Sequence, residues 1–165
     1  MDIKLLPAQT RILIDANIFI YHFAKVSNDC KTFLQRVEKG DVVGFVTTGI
    51  LAEVLHRRML AEAVDKGLVT ASKVLQKLKA RPDLVSQLTD YITDIRAIAQ
   101  LPFSIISISS DDIEQSHVIR QTYGLFVNDS INLACTRRAG VTHIATHDSD
   151  FDRLDKINVW KPTDI

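Results

Sequence analysis

Five short apolar runs punctuate this chain: Ile12–Ile14 in "RILIDANIFI", Val42–Val46, Phe103–Ile108, the "THIAT" around Ile144, and Ile157–Trp160. Each is bounded by polar or turn residues and is too short for a buried helix, so each reads as a buried strand. The β-branched content of "VVGFV" supports this. Between the runs lie segments of helical spacing. Strands alternating with helices predict a mainly parallel sheet of about five strands, covered by helices on both faces, with right-handed crossovers. The expected fold class is therefore α/β, and ligands are expected outside the carboxyl ends of the strands.

Helix boundaries are legible in the same way. Thr47 and Thr48 can cap a helix through "GILAEVLHRRMLAEAVDK". A helix near Asp29–Lys39 stops at Gly40, and one from Ser109 or Ser110 to about Tyr123 stops at Gly124. Another runs from near Asn128 to Arg138 and ends before Gly140. Residues 70–100 read as two helices broken at Arg81-Pro82, because a residue before proline avoids helical geometry. No repeat, low-complexity segment or linker interrupts the pattern, so residues 1–165 are expected to form a single domain.

Composition removes several classes. No apolar run approaches the roughly 20 residues that span a bilayer, and "MDIKLLPAQT" lacks the features of a signal peptide. Cys30 and Cys135 are too few and too distant for a disulfide framework or zinc knuckle. A cytoplasmic location without membrane contact is the expectation. Twenty basic and twenty acidic side chains cancel, which argues against nucleic-acid binding by bulk charge alone. An acidic site offset by basic neighbours would give the same sum.

Four acids follow the strand-end rule. Asp15 ends the first strand, Glu53 lies early in the helix after the second, Asp129 opens a helix after Gly124, and Asp148 follows the fourth strand. Each has an ordinary explanation. Asp15 could cap a helix, Glu53 could pair with Arg57, Asp129 could favour a helix dipole, and Asp148, Asp150 and Asp152 could be turn residues. Convergence on one sheet edge weakens all four. Crowded carboxylates raise one another's pKa, and a hard divalent cation such as Mg²⁺ or Mn²⁺ resolves the repulsion. Such a site can activate water and stabilise charge on phosphate, which points to phosphate-ester hydrolysis.

Competing motifs fail on the letters. A calcium loop beginning at Asp148 would need glycine at Arg153 and glutamate at Val159. His143 and His147 are not set on a helix with glutamate between them, as a zinc protease requires. A phosphatase working through aspartyl-phosphate would need an aspartate at Asn17. No P-loop or dinucleotide glycine pattern is present.

"LIDANIFI", "TTGILAEVL" and "VNDSINLACTRRAGVTHIATHDSDF", in that order, resemble PIN-domain nucleases, most of all the VapC-type toxins of toxin–antitoxin pairs. The resemblance covers nearly the whole chain. It implies a PIN-like three-layer α/β/α fold and a Mg²⁺- or Mn²⁺-dependent endoribonuclease hydrolysing RNA through a metal-activated water. It carries a catalytic, metal-binding quartet onto Asp15, Glu53, Asp129 and Asp148, adds Asp150 to the metal pocket, and makes Asn17 and Thr146 supporting groups. It also implies a small antitoxin partner and a homodimer. The stretch between Glu53 and Asp129 is longer than in compact VapC toxins, and the excess is a helical insertion over residues 62–100 between the second and third strands. With Arg57 and Arg58, its Lys73, Lys77 and Lys79 are candidates for RNA contacts. Two alternatives stand beside the toxin: an RNA-processing PIN nuclease without antitoxin, and a weakly active RNA- or protein-binding module.

Overall fold

Successive side chains of a strand point to opposite faces of a sheet, yet Ile12, Leu13 and Ile14 are all buried. The sheet that contains them is therefore covered on both sides. The computed structural model describes residues 1–165. Its strands are β1 (Arg11–Ile14), β2 (Val43–Thr47), β3 (Ser104–Ile106), β4 (His143–Ala145) and β5 (Asn158–Trp160). All pair in parallel in the order β3-β2-β1-β4-β5. The helices are α1 (Ala16–Phe23), α2 (Asn28–Glu38), α3 (Thr48–Asp65), α4 (Val74–Ala80), α5 (Pro82–Val85), α6 (Tyr91–Ala99), α7 (Ser110–Tyr123) and α8 (Val127–Arg138). No helix is long and apolar enough to cross a membrane.

Local chemistry sets the boundaries as expected in most places. The Thr47 hydroxyl accepts from the Ile50 N–H (3.0 Å) at the start of α3. Ser109 and Asp112 form a reciprocal capping box on α7. That helix ends at Gly124 with φ +66°, a left-handed conformation that glycine adopts without a Cβ penalty. Cys30 and Cys135 are buried and free.

Two boundaries differ from the sequence reading. Residues 70–100 hold three helical pieces, not two. Pro82 does restart the helix, but α5 is a single turn, and a second break precedes α6. The second break is held from a distance. The buried Glu62 carboxylate accepts from the Thr89 and Tyr91 N–H groups (2.8 and 2.9 Å), so a side chain on α3 ties down the start of α6. The third strand is also shorter than Phe103–Ile108. It lies at the sheet edge, paired only with β2, and Ile105 is exposed.

The apolar interior divides unequally. Thirty buried residues around the sheet form one cluster, including Phe19, Phe33, Ile50, Leu133 and Trp160. The helices between β2 and β3 add a separate cluster of three, Ala63, Leu78 and Leu88. The segment from α4 to α6 thus packs on the far half of α3 with little interior of its own.

Candidate active site

In an open parallel sheet, a crevice forms where chain connections leave adjacent strands in opposite directions. Here that point lies between β1 and β4. Asp15 is the first residue beyond β1, and its N–H donates to Ala145 O (3.0 Å) at the end of β4. Its side chain serves two purposes. Oδ1 accepts from the Ala16 N–H (2.7 Å), the ordinary cap of α1. Oδ2 accepts from the Thr146 hydroxyl (2.6 Å) and from Asn17 Nδ2 (2.7 Å).

Thr146 is fully buried and uses all of its hydrogen-bonding capacity. Besides donating to Asp15, its hydroxyl accepts from Asn17 Nδ2 (2.9 Å) and the Asp148 N–H (3.0 Å). Asn17 Oδ1 accepts from the His147 N–H (3.1 Å). The ends of β1 and β4 are thereby fixed to each other. Asp148 caps the following 3-10 turn by accepting from the Asp150 N–H (2.8 Å).

Glu53 reaches the same place from α3, and Asp129 from the first turn of α8. Asp15, Asn17, Glu53, Asp129 and Asp148 all line one cleft of about 270 Å³. Carboxylate oxygens of Asp129, Asp148 and Asp150 lie within 4.8 Å of one another. Positive charge is sparse: Arg57 pairs with Glu53 (3.4 Å) and Arg153 with Asp150. Burial, with Glu53 and Asp148 adding repulsion, pushes the Asp15 carboxyl up to about 6 despite the opposing hydrogen bonds from Thr146 and Ala16. Burial first, then the charges of Asp15, Asp148, Glu53 and Asp150, push Asp129 up to about 7. An all-oxygen donor set under mutual repulsion fits a hard divalent cation, with Asp129, Asp148 and Asp150 nearest to one another and Asp15 and Glu53 on the remaining walls.

The basic candidates are not gathered in the same way. Arg57 stands at the cleft. Arg58 is turned to Asp94 on α6 (2.7 Å) and lies over the Phe23 ring. Lys73 precedes α4 with φ +55°, Lys77 donates to Thr70, and Lys79 is exposed. Helix α4 packs near Ala63, roughly 15 Å along α3 from Glu53 at 1.5 Å per residue.

The sequence reading leaves two ring-bearing cleft residues out of the site, weighing His147 only as a zinc ligand. Tyr21 and His147 line the cleft and meet edge to face at 5.8 Å. The His147 Nδ1 is buried without a partner. Tyr21 follows Asn17 by one helical turn, so the i, i+4 spacing on α1 was its available signal.

The PIN domain family model matches residues 12–157. The chain belongs to the PIN domain family. The PIN fold accounts for the sheet order and the acid-lined crevice together. Ribonuclease VapC2 of Methanocaldococcus jannaschii is 26% identical over 158 residues, covering 94% of this chain and 97% of the relative. Among solved structures, VapBC2 from Rickettsia felis bound to a promoter DNA fragment aligns with TM-score 0.59 at 14% identity, covering 93% of this chain and 99% of that one. Mycobacterium tuberculosis VapC20, a sarcin-ricin loop cleaving toxin, aligns with TM-score 0.59 at 14% identity, over 90% and 98% of the two chains. The two structures share the fold over nearly the full length of this chain.

Proposed function

We propose that this PIN domain is a divalent-metal-dependent endoribonuclease acting as the toxin of a toxin–antitoxin pair. The observation that carries the reading is the convergence of Asp15, Glu53, Asp129 and Asp148 from four separate elements onto one cleft. Similarity to Ribonuclease VapC2 supports RNA as the substrate, and likeness in fold to a toxin–antitoxin complex from Klebsiella pneumoniae supports an antitoxin as the partner.

A bound Mg²⁺ or Mn²⁺ would acidify water and neutralise charge gathering on the phosphate. Asp15, Glu53, Asp129, Asp148 and Asp150 are the residues that would hold the cation. Thr146 and Asn17 hold the Asp15 carboxylate in one orientation, so no rotamer search precedes binding. Arg57 sits where it can meet a phosphate arriving over Glu53. A binding module has no need of repelling carboxylates at this density, which favours the enzyme over the binder.

Asp15→Asn tests the reading. It removes a charge at nearly constant volume, and cleavage of RNA in Mg²⁺ or Mn²⁺ buffer should fall by at least about 100-fold, the counterpart of several kcal/mol of lost charge stabilisation. Cleavage at the wild-type rate refutes it. Co-purification with the product of an adjacent small reading frame separates toxin from processing nuclease. The proposed homodimer is checked by sedimentation at micromolar concentration.

A further inference from the structure

A second groove, of about 430 Å³, runs beside the acidic cleft between α3 and α8 and shares Glu53 and Arg57 with it. That volume falls in the roughly 300–1,000 Å³ range of clefts that hold small ligands. Its chemistry differs from that of the cleft. Glu53 is its one carboxylate, so nothing there suggests a second cation. Ile108 and Ile131 supply apolar wall, and His56, Asn128 and Asn132 supply polar edges. A planar group with an apolar face and hydrogen-bonding rim matches that lining.

Asn132 gives the groove its direction. The residue is only 4% exposed. Its Oδ1 accepts from the Thr47 hydroxyl (2.6 Å), which itself accepts from the Ile50 N–H. The Asn132 Nδ2 group is left with no partner in the protein while the residue lines the groove. That N–H is open to the groove, where a ligand can replace the water that meets it. Gly49 keeps the space open: a Cβ there would stand 2.9 Å from Ile108 Cδ1 and 3.4 Å from Asn132 Oδ1.

Resting on the ribonuclease reading, we propose that this groove is a nucleobase subsite that holds the base next to the scissile phosphate and selects the cleavage sequence. Single-stranded RNA is read by bases splayed from the backbone, stacked on side chains such as His, and hydrogen-bonded along their edges. His56 and the two isoleucines face the ring. Asn132 presents an N–H to an acceptor on the base edge, and the neighbouring Asn128 reads a second position. A base offering N–H toward Asn132 leaves two donors unmet and is rejected. Shared residues place the base one step from the acids, as the backbone geometry of a nucleotide requires.

Two measurements test this. Side-chain amide NMR signals are followed in metal-free protein during titration with each of the four nucleoside 5′-monophosphates and with ribose 5-phosphate. At least one nucleotide should shift the Asn132 and Asn128 amides, and ribose 5-phosphate should not. No shift, or equal shifts with the base-free sugar phosphate, overturns the proposal. Cut sites are then sequenced after cleavage of a random RNA pool. Wild type should show unequal base frequencies beside the cut, and His56→Ala and Asn128→Ala should each weaken that bias by roughly fivefold or more. Asn132→Asp keeps the acceptor for Thr47 but replaces the N–H donor, so it should change which base is preferred. Even frequencies in wild type, or an unchanged preference in all three variants, also overturn it. Absence of any RNA cleavage by wild type would instead defeat the ribonuclease reading, and the nucleotide titration would still decide the subsite.

Discussion

Asp112 and Asp129 occupy the same position, the third residue of their helices, in α7 and α8. Position in the helix alone would make them alike, as first-turn acids favoured by the helix dipole. The molecule uses them oppositely. Asp112 accepts from the Ser109 N–H and hydroxyl (both 2.8 Å) and from Arg138 (2.8 Å), and these partners, Arg138 foremost, hold its carboxyl far below the usual range. Asp129 follows Phe126, which offers no capping side chain, and it meets other carboxylates instead of donors. Asp112 is satisfied within the chain, its charge matched by Arg138. An acid left among its own kind is completed from outside.

The comparison breaks most visibly at Asp129. Asp129→Asn should reduce RNA cleavage by at least about 100-fold, on the same reasoning of several kcal/mol of lost charge stabilisation. It should not destabilise the metal-free protein at pH 8, because it removes repulsion. Asp15 and Asp129 both have folded pKa values above the unfolded carboxyl range near about 4. Their contribution to stability is fully present below about pH 4 and is lost as pH rises through about 6 and 7. Thermal melts of metal-free protein should therefore fall across that window, and Asp129→Asn should flatten the fall. Millimolar Mg²⁺ should raise the melting temperature at pH 8 in wild type and do so far less in the variant. A wild-type melting temperature that rises steadily from pH 4 to 8 would contradict the assigned repulsion.

A smaller loss is expected from Thr146→Val, which keeps the shape of the side chain but removes the hydroxyl between Asp15, Asn17 and Asp148. Removing such a group beside a metal ligand typically costs about 10- to 100-fold in affinity or activity. Thr146 acts through Asp15, so its loss should also move the acid limb of the pH–rate profile upward, since that hydrogen bond lowers the Asp15 pKa. Thr146→Ser should restore both rate and profile. A valine variant slowed without any change in profile would assign Thr146 to packing.

The sheet, the acid edge and most caps were legible in the sequence because each rests on local patterning. Ile12–Ile14 is unmistakably a strand, and Thr47, Ser109 and Gly124 mark ends by their own chemistry. What escaped depends on contacts across the chain. The start of α6 is fixed by Glu62 from another helix, with no cap nearby. Arg58 looks like its neighbour Arg57 in sequence, yet packing against Asp94 and Phe23 turns it elsewhere. Asn132 looks like an ordinary helix residue until Thr47, far away in sequence, is seen to bond its side chain.

Asp112→Asn is the counterpart that should leave catalysis almost untouched. Its carboxylate faces Ser109 and Arg138 at the base of α7 and is absent from the acidic cleft. Asparagine retains one acceptor, but it gives up the charge and part of the capping box, a loss of roughly 1–2 kcal/mol in stability. The Asp112 pKa is depressed in the folded state, so its contribution is present above the unfolded value near about 4 and disappears as pH falls below it. The variant should thus melt lower than wild type at pH 7, and the gap should narrow in strong acid, the reverse of the Asp129 pattern. RNA cleavage at a temperature where both proteins are folded should differ by less than about threefold, within the ±0.5 kcal/mol expected of changes away from a site. A large loss of cleavage in folded Asp112→Asn protein would mean that a carboxylate paired with Arg138 outside the cleft still serves the reaction, and the distinction between the two third-position acids would fall.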